Sequence, residues 1–161
     1  MADLHGNKIV GGHPSIADTP HNPSTSSSQG CGPQRLRLSR KAGWRKPEGA
    51  VVVSRPGRWG NPFEVTKGAT NWYVYEPRSR QQFNELGSLT TRAEAQEFAV
   101  SLYAAWLRGN VFAAELEPRR QWILDNLGAL AGKDLCCWCA DGTACHADVL
   151  LTLAAKTGDE R

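Results

Sequence analysis

Hydrophobic and polar positions fall into short blocks along this chain, and each block predicts an element. In "PQRLRLSRKAGW" basic and apolar residues alternate from Arg35 to Leu38. That period of two predicts a short edge strand with one wet face. "GAVVVSRPGRWGNPF" opens with Val51 to Val53, a β-branched apolar run of the kind found in a central strand. Pro56-Gly57 breaks it into a loop, and Gly60-Asn61-Pro62 forces a second turn. "NWYVYEP" is aromatic and β-branched, and is expected to form another strand.

The period then changes from two to three or four. In "LTTRAEAQEFAVSLYAAWLRGN", Thr91 and Glu94 stand at capping-box spacing. Ala95, Phe98, Leu102 and Trp106 follow as one apolar stripe, and Gly109-Asn110 ends the helix. "EPRRQWILDNLG" predicts a second helix, with Pro118 in its first turn and Gly128 as its stop. "KDLCCWCA" reads as a short strand. "CHADVLLTLAAK" reads as a closing helix with Val149, Leu150, Leu153 and Ala154 facing inward. Strands alternating with helices predict a small single-domain α/β protein. The expectation is a Rossmann-like three-layer fold with a largely parallel sheet.

Composition divides the chain. The first 33 residues hold no Phe, Trp or Tyr and are rich in Gly, Pro, Ser and Thr. Such a stretch buries too little apolar surface to offset the entropy of ordering it, so residues 1–33 are expected to be a disordered arm and residues 34–161 the domain. The arm lacks the basic start and apolar run of a secretory signal, and no stretch approaches a membrane span. A soluble, cytoplasmic protein with no membrane partner is therefore expected. From Arg35 to Arg58, eight basic residues face one acid, Glu48, with Trp44 and Trp59 interleaved. This stretch suits phosphates or nucleic acid, although a solvated surface strand would look the same.

Four of the five cysteines crowd residues 136–145, and His146 follows at once. An odd, clustered set is not a secreted disulfide scaffold. On a strand, Cys137 and Cys139 project to one face and Cys136 and Trp138 to the other. Cys145-His146 would open the last helix, where free N–H groups and the helix dipole bind anions and activate a thiol. Three readings follow. Cys145 is a nucleophile, with His146 or Asp148 carrying the proton. Alternatively, Cys137, Cys139, Cys145 and His146 bind zinc, which is otherwise not required as a cofactor. Against zinc, the C-x-C-x5-C-H spacing differs from paired C-x-x-C knuckles, and adjacent helix residues point about 100° apart. In the third reading the thiols are small core residues, Cys145 caps the helix and His146 bonds to backbone.

Two segments together carry a resemblance. "QRLRLSRKAGWRKPEGAVVVSRPGRWGNPF" and "GKDLCCWCADGTACHADVLLTLA" resemble the signature blocks of a small bacterial and bacteriophage domain family of unknown function. Its pattern is G-W-R-x-P, a G-N-P-F loop, and a C-W-C…C-H-x-D-V-L ending. The match runs from about Gln34 to Lys156, with Ser54 standing where a glycine is expected. Carried over, the signature positions include Trp44, Arg45, Arg55, Trp59, Asn61, Phe63, Cys137, Trp138, Cys139, Cys145, His146 and Asp148. The resemblance brings no activity with it. The closing pattern is also similar, more weakly, to a second small α/β family, which again implies a Rossmann-like fold.

A parallel sheet would set the Gly-Asn-Pro-Phe loop and the Cys-His loop on one edge. There Arg55 and Arg58 would hold phosphate, Asn61 and Trp59 would contact a base or sugar, and Cys145 would attack or anchor. The expected partner is thus a nucleotide-like small molecule. The competing expectations are a nucleic-acid-binding accessory protein using residues 35–58, or a zinc-stabilised interaction module.

Overall fold

The computed structural model describes residues 32–85 and 87–159. The expected arm lies, except for its last two residues, outside the described residues. Strands β1 (Arg35–Arg37), β2 (Val51–Val52) and β5 (Leu135–Cys137) form a three-stranded sheet in the order β1-β5-β2, parallel throughout. The strands are short, and loop bonds lengthen them. Leu38 N–H donates to the Cys137 carbonyl at 2.8 Å, and Val53 N–H to the Cys136 carbonyl at 2.9 Å. The protein is α/β with a parallel sheet, as its alternating pattern implies.

The central strand is β5, not the valine run. Leu135, Cys136 and Cys137 are all buried, whereas Val52 is 43% exposed on β2. One leucine followed by two thiols carries less hydrophobic signal than Val51–Val53, yet β5 pairs on both edges and β2 on one. Between them in the chain, β3 (Glu64–Lys67) and β4 (Trp72–Tyr75) form an antiparallel hairpin. The buried Asn84 amide acts as a partial third strand: its Oδ1 accepts from Val74 N–H at 2.7 Å and its Nδ2 donates to the Trp72 carbonyl at 3.2 Å.

Helix α1 (Arg92–Leu107) begins with the expected capping box, Thr91 and Glu94 each bonding the other's backbone N–H. Helices α2 (Glu117–Asn126) and α3 (His146–Asp159) follow. The side-chain alternation of β5 divides the interior in two. Leu135 and Cys137 face the main core, which holds Phe63, Tyr103, Trp106, Ile123 and Leu150. Cys136 faces the other way, into a small cluster with Leu36, Leu38 and Ala50. That second cluster contains no helical residue. Helices cover one face of the sheet, and the segment between β1 and β2 closes the other.

Candidate metal centre

Cys137 ends β5 with its side chain in the core, only 2% exposed. The alternation returns Cys139 to the same side, with its Sγ 3.5 Å from that of Cys137. A tight turn follows, in which Thr143 N–H and Oγ1 both donate to the Ala140 carbonyl and Gly142 takes the positive φ of 73°. It delivers Cys145 to the position just before α3. There the Cys145 carbonyl accepts from Asp148 N–H at 3.1 Å and its Sγ from Ala147 N–H at 3.4 Å.

This placement corrects the objection raised by the sequence. Cys145 lies outside the helix and His146 is its first residue, so the 100° step between helical neighbours does not apply. The three sulfurs and one imidazole nitrogen lie within 4.8 Å of one another. Cys145 is wholly buried and His146 is 6% exposed.

His146 has a fixed tautomer. Its Nε2 lies 2.8 Å from the Val53 carbonyl, which can only accept, so Nε2 carries the proton. In the neutral ring Nδ1 then carries the lone pair, 3.9 Å from Cys137 Sγ. A backbone carbonyl orienting the far nitrogen is the usual support for a metal-ligating histidine.

The thiols share protons without a cation. Hydrogen bonds from Cys139 and Cys145 hold the Cys137 thiol well below its ordinary range, and the bond with Cys137 pushes Cys139 up. Around the cluster stand further donors. Gln96 Nε2 reaches Cys139 Sγ at 3.7 Å and the Ala144 carbonyl at 3.3 Å. Arg35 donates to the Thr143 carbonyl at 2.9 Å and stands 3.3 Å from Asp148. Burial opposes the Arg35 charge, but Cys145 and Asp148 outweigh it and raise its pKa. Burial also pushes the Asp148 carboxyl up, against the pull of Arg35.

The donor set fits zinc. Tetrahedral bonds of about 2.3 Å to sulfur place neighbouring ligand atoms about 3.8 Å apart. The Cys137 and Cys139 sulfurs stand near that spacing at 3.5 Å, and all four donor atoms lie within 4.8 Å of one another. Three sulfurs and an imidazole complete a closed four-ligand shell with no open position.

The Gly-Asn-Pro-Phe loop is built differently. Asn61 is buried, donating to the Ala99 carbonyl at 2.8 Å and accepting from Phe63 N–H at 2.9 Å. Arg55 pairs with Glu64. Arg58 lies over the Trp122 ring, 5.1 Å from its centroid, and Trp59 packs on the same indole at 4.9 Å. Arg119 donates to the Gly57, Arg58 and Gly60 carbonyls, and Tyr103 to that of Trp59 at 2.7 Å. A Cβ on Gly60 would meet Arg55 N at 2.7 Å, so the turn requires glycine. Sequence reasoning missed Arg119, Tyr103 and Gln96. Arg119 reads as a solvated helix face because its partners are carbonyls, which leave no mark in a sequence.

Both loops do lie along one edge, against α1. Gln96 touches the cysteine loop and Ala99 the asparagine loop, and three residues rise only about 4.5 Å along a helix. A cavity of about 370 Å³ opens elsewhere, lined by Gly32, Glu48, Gly132 and Asp134 near the start of β5.

Among the described residues, no helix is long and apolar enough to cross a membrane. The model of a family described as Domain of unknown function (DUF4326) matches residues 36–156. No curated protein and no solved structure matches the chain.

Proposed function

This chain belongs to the DUF4326 family of domains of unknown function, and we propose that it is a zinc-stabilised binding domain whose metal is held by Cys137, Cys139, Cys145 and His146. The observation that carries this reading is the His146 tautomer. With Nε2–H committed to Val53, the only lone pair on the ring points at a sulfur cluster.

Bound there, zinc supplies charge and cross-linking rather than an open coordination position. Cys137 and Cys139 belong to the central strand and its exit, and Cys145 and His146 to the start of α3. His146 also ties the centre to β2 through Val53. Three thiolates and a dication leave a net charge of minus one, which Arg35 offsets beside Cys145. Gln96 and the Ala147 N–H support the sulfurs.

The reactive-thiol reading of Cys145, His146 and Asp148 is less well supported. Cys145 is sealed from solvent, and its Sγ is already engaged by the Ala147 N–H at 3.4 Å. A nucleotide site across Arg55, Arg58, Trp59 and Asn61 would have to displace bonds those residues make within the fold.

Elemental analysis of the purified, buffer-exchanged protein tests the proposal. One zinc per chain is expected, falling to near zero in Cys145→Ser and His146→Ala and unchanged in Cys136→Ser. A metal-free wild-type protein that folds and stays folded in chelator would overturn it.

A further inference from the structure

The metal loop has a consequence for the residue at its centre. Cys137 and Cys139 both turn inward, so Trp138 between them must turn out. It is 45% exposed, a large indole on the surface with no place in either core cluster. Arg40 lies over the ring at 4.7 Å from its centroid. Arg37 ends β1 with a side chain 55% exposed, 4.0 Å from Asp141 in the turn after Trp138. Trp44, 36% exposed, closes a turn in which its N–H bonds to the Lys41 carbonyl, and Lys41 and Arg45 are exposed beside it.

Residues 34–47 carry six cations and no acid. Two of them are committed within the fold. Arg35 is bonded to Thr143 and Asp148, and Lys46 reaches the Pro47 and Ala50 carbonyls. Arg37, Arg40, Lys41 and Arg45 remain at the surface, spaced along one segment with two exposed indoles.

We infer that this face, centred on Trp138 and Arg40, binds single-stranded nucleic acid. Unpaired bases stack on exposed aromatic rings, and a file of cations follows the phosphate backbone. A duplex offers no free base faces to stack, and among the described residues no helix contributes to this surface to enter a groove. The cations are strung along the chain rather than gathered around a cavity, which favours a strand over a single nucleotide. Base and guanidinium compete for the indole. Arg40 is therefore expected to move from the ring to a phosphate on binding, while Trp138 stays where its flanking cysteines fix it. The inference rests on the metal-centre reading only for that rigidity.

Fluorescence anisotropy tests it with labelled 15-residue oligo(dT) and oligo(U), and with a duplex of equal length, over a range of salt concentrations. The expected result is salt-dependent binding of the single strands, tighter than that of the duplex. The ratio of the two oligomers tells whether DNA or RNA is preferred. Trp138→Ala should weaken binding roughly tenfold or more, and Trp138→Phe should restore most of it. Arg37→Ser, Lys41→Ser and Arg45→Ser together should flatten the plot of log affinity against log salt by about 2. Zinc content of the same samples separates the two proposals: binding without zinc would sink only the metal centre. Equal affinity for duplex, no binding at low salt, or unchanged binding in a zinc-loaded Trp138→Ala protein would each overturn the inference. Should Trp138→Ala fail to fold, loss of binding in Arg40→Met with normal zinc content supports it, and retention overturns it.

Discussion

Two polar loops leave the same edge of one sheet and rest on the same helix, yet they are chemically opposite. In the Gly-Asn-Pro-Phe loop the polar groups that the sequence singles out are used up within the fold. Asn61 serves Ala99 and Phe63, Arg55 serves Glu64, and Arg119 from α2 holds three loop carbonyls. In the cysteine loop, three sulfurs and one imidazole nitrogen converge with lone pairs left over. A signature of polar residues therefore marks a ligand site only where the local bonding leaves capacity unfilled. By this measure the first loop is scaffold and the second is the candidate centre.

The largest effect should come from the second loop. Removing one ligand with Cys145→Ser, or stripping metal with chelator, should lower the thermal midpoint by roughly 10 °C or more, since binding free energy at such a site is folding free energy. Calorimetry of the wild-type protein with and without chelator provides the check. Equal midpoints would erase the distinction between the loops.

The first loop should respond in stability alone. Asn61→Ala leaves the buried Phe63 N–H without its partner and removes a second bond to the Ala99 carbonyl, and should cost about 1–3 kcal/mol. Arg119→Met should cost a similar amount, with its three carbonyls losing a charged donor. Zinc content should not change in either. Loss of metal in Asn61→Ala would show that the scaffold and the centre are one cooperative unit.

A smaller effect should follow pH. Burial pushes the Glu76 carboxyl up, but the N–H groups of Ser79 and Arg78 outweigh it and hold it below its ordinary value of 4.5. A depressed folded value means that the unfolded chain binds the proton first. The stabilisation is therefore complete above the ordinary value and is lost as pH falls through the folded one. Denaturant titrations from pH 6 to pH 3 on zinc-loaded wild type and Glu76→Gln should converge toward acid. Parallel curves would refute the assignment. The smallest change is expected at Cys136, whose side chain lies in the second cluster with Leu38 and Ala50. Cys136→Ala should cost about 1 kcal/mol and leave zinc untouched.

The elements most visible in the sequence are those with strong local signals. The Thr91–Glu94 capping box and the stripe through Ala95, Leu102 and Trp106 locate α1 because caps and helical period act within a few residues. The partition of Cys136 from Cys137 and Cys139 also follows from strand alternation alone. The β3–β4 hairpin was half hidden: "NWYVYEP" marks β4, but Glu64 to Lys67 has charged ends and only Val65 as an apolar residue. Its turn also lacks an Asn-Gly or Asp-Gly pair. The rank of β5 over β2 depends on pairing at both edges, which no window of sequence records. At the candidate centre, Cys137, Cys139, Cys145 and His146 were legible as a set. Their convergence was not, because it depends on Cys145 standing one residue outside the helix and on a carbonyl of β2's exit orienting His146.

The central claim concerns what surrounds the metal, so X-ray absorption at the zinc edge of the purified protein tests it most directly. Three sulfur scatterers at about 2.3 Å and one nitrogen at about 2.0 Å are expected, with one sulfur lost in Cys139→Ser. A shell of oxygen and nitrogen without sulfur would contradict it, as would the absence of a zinc signal from folded protein.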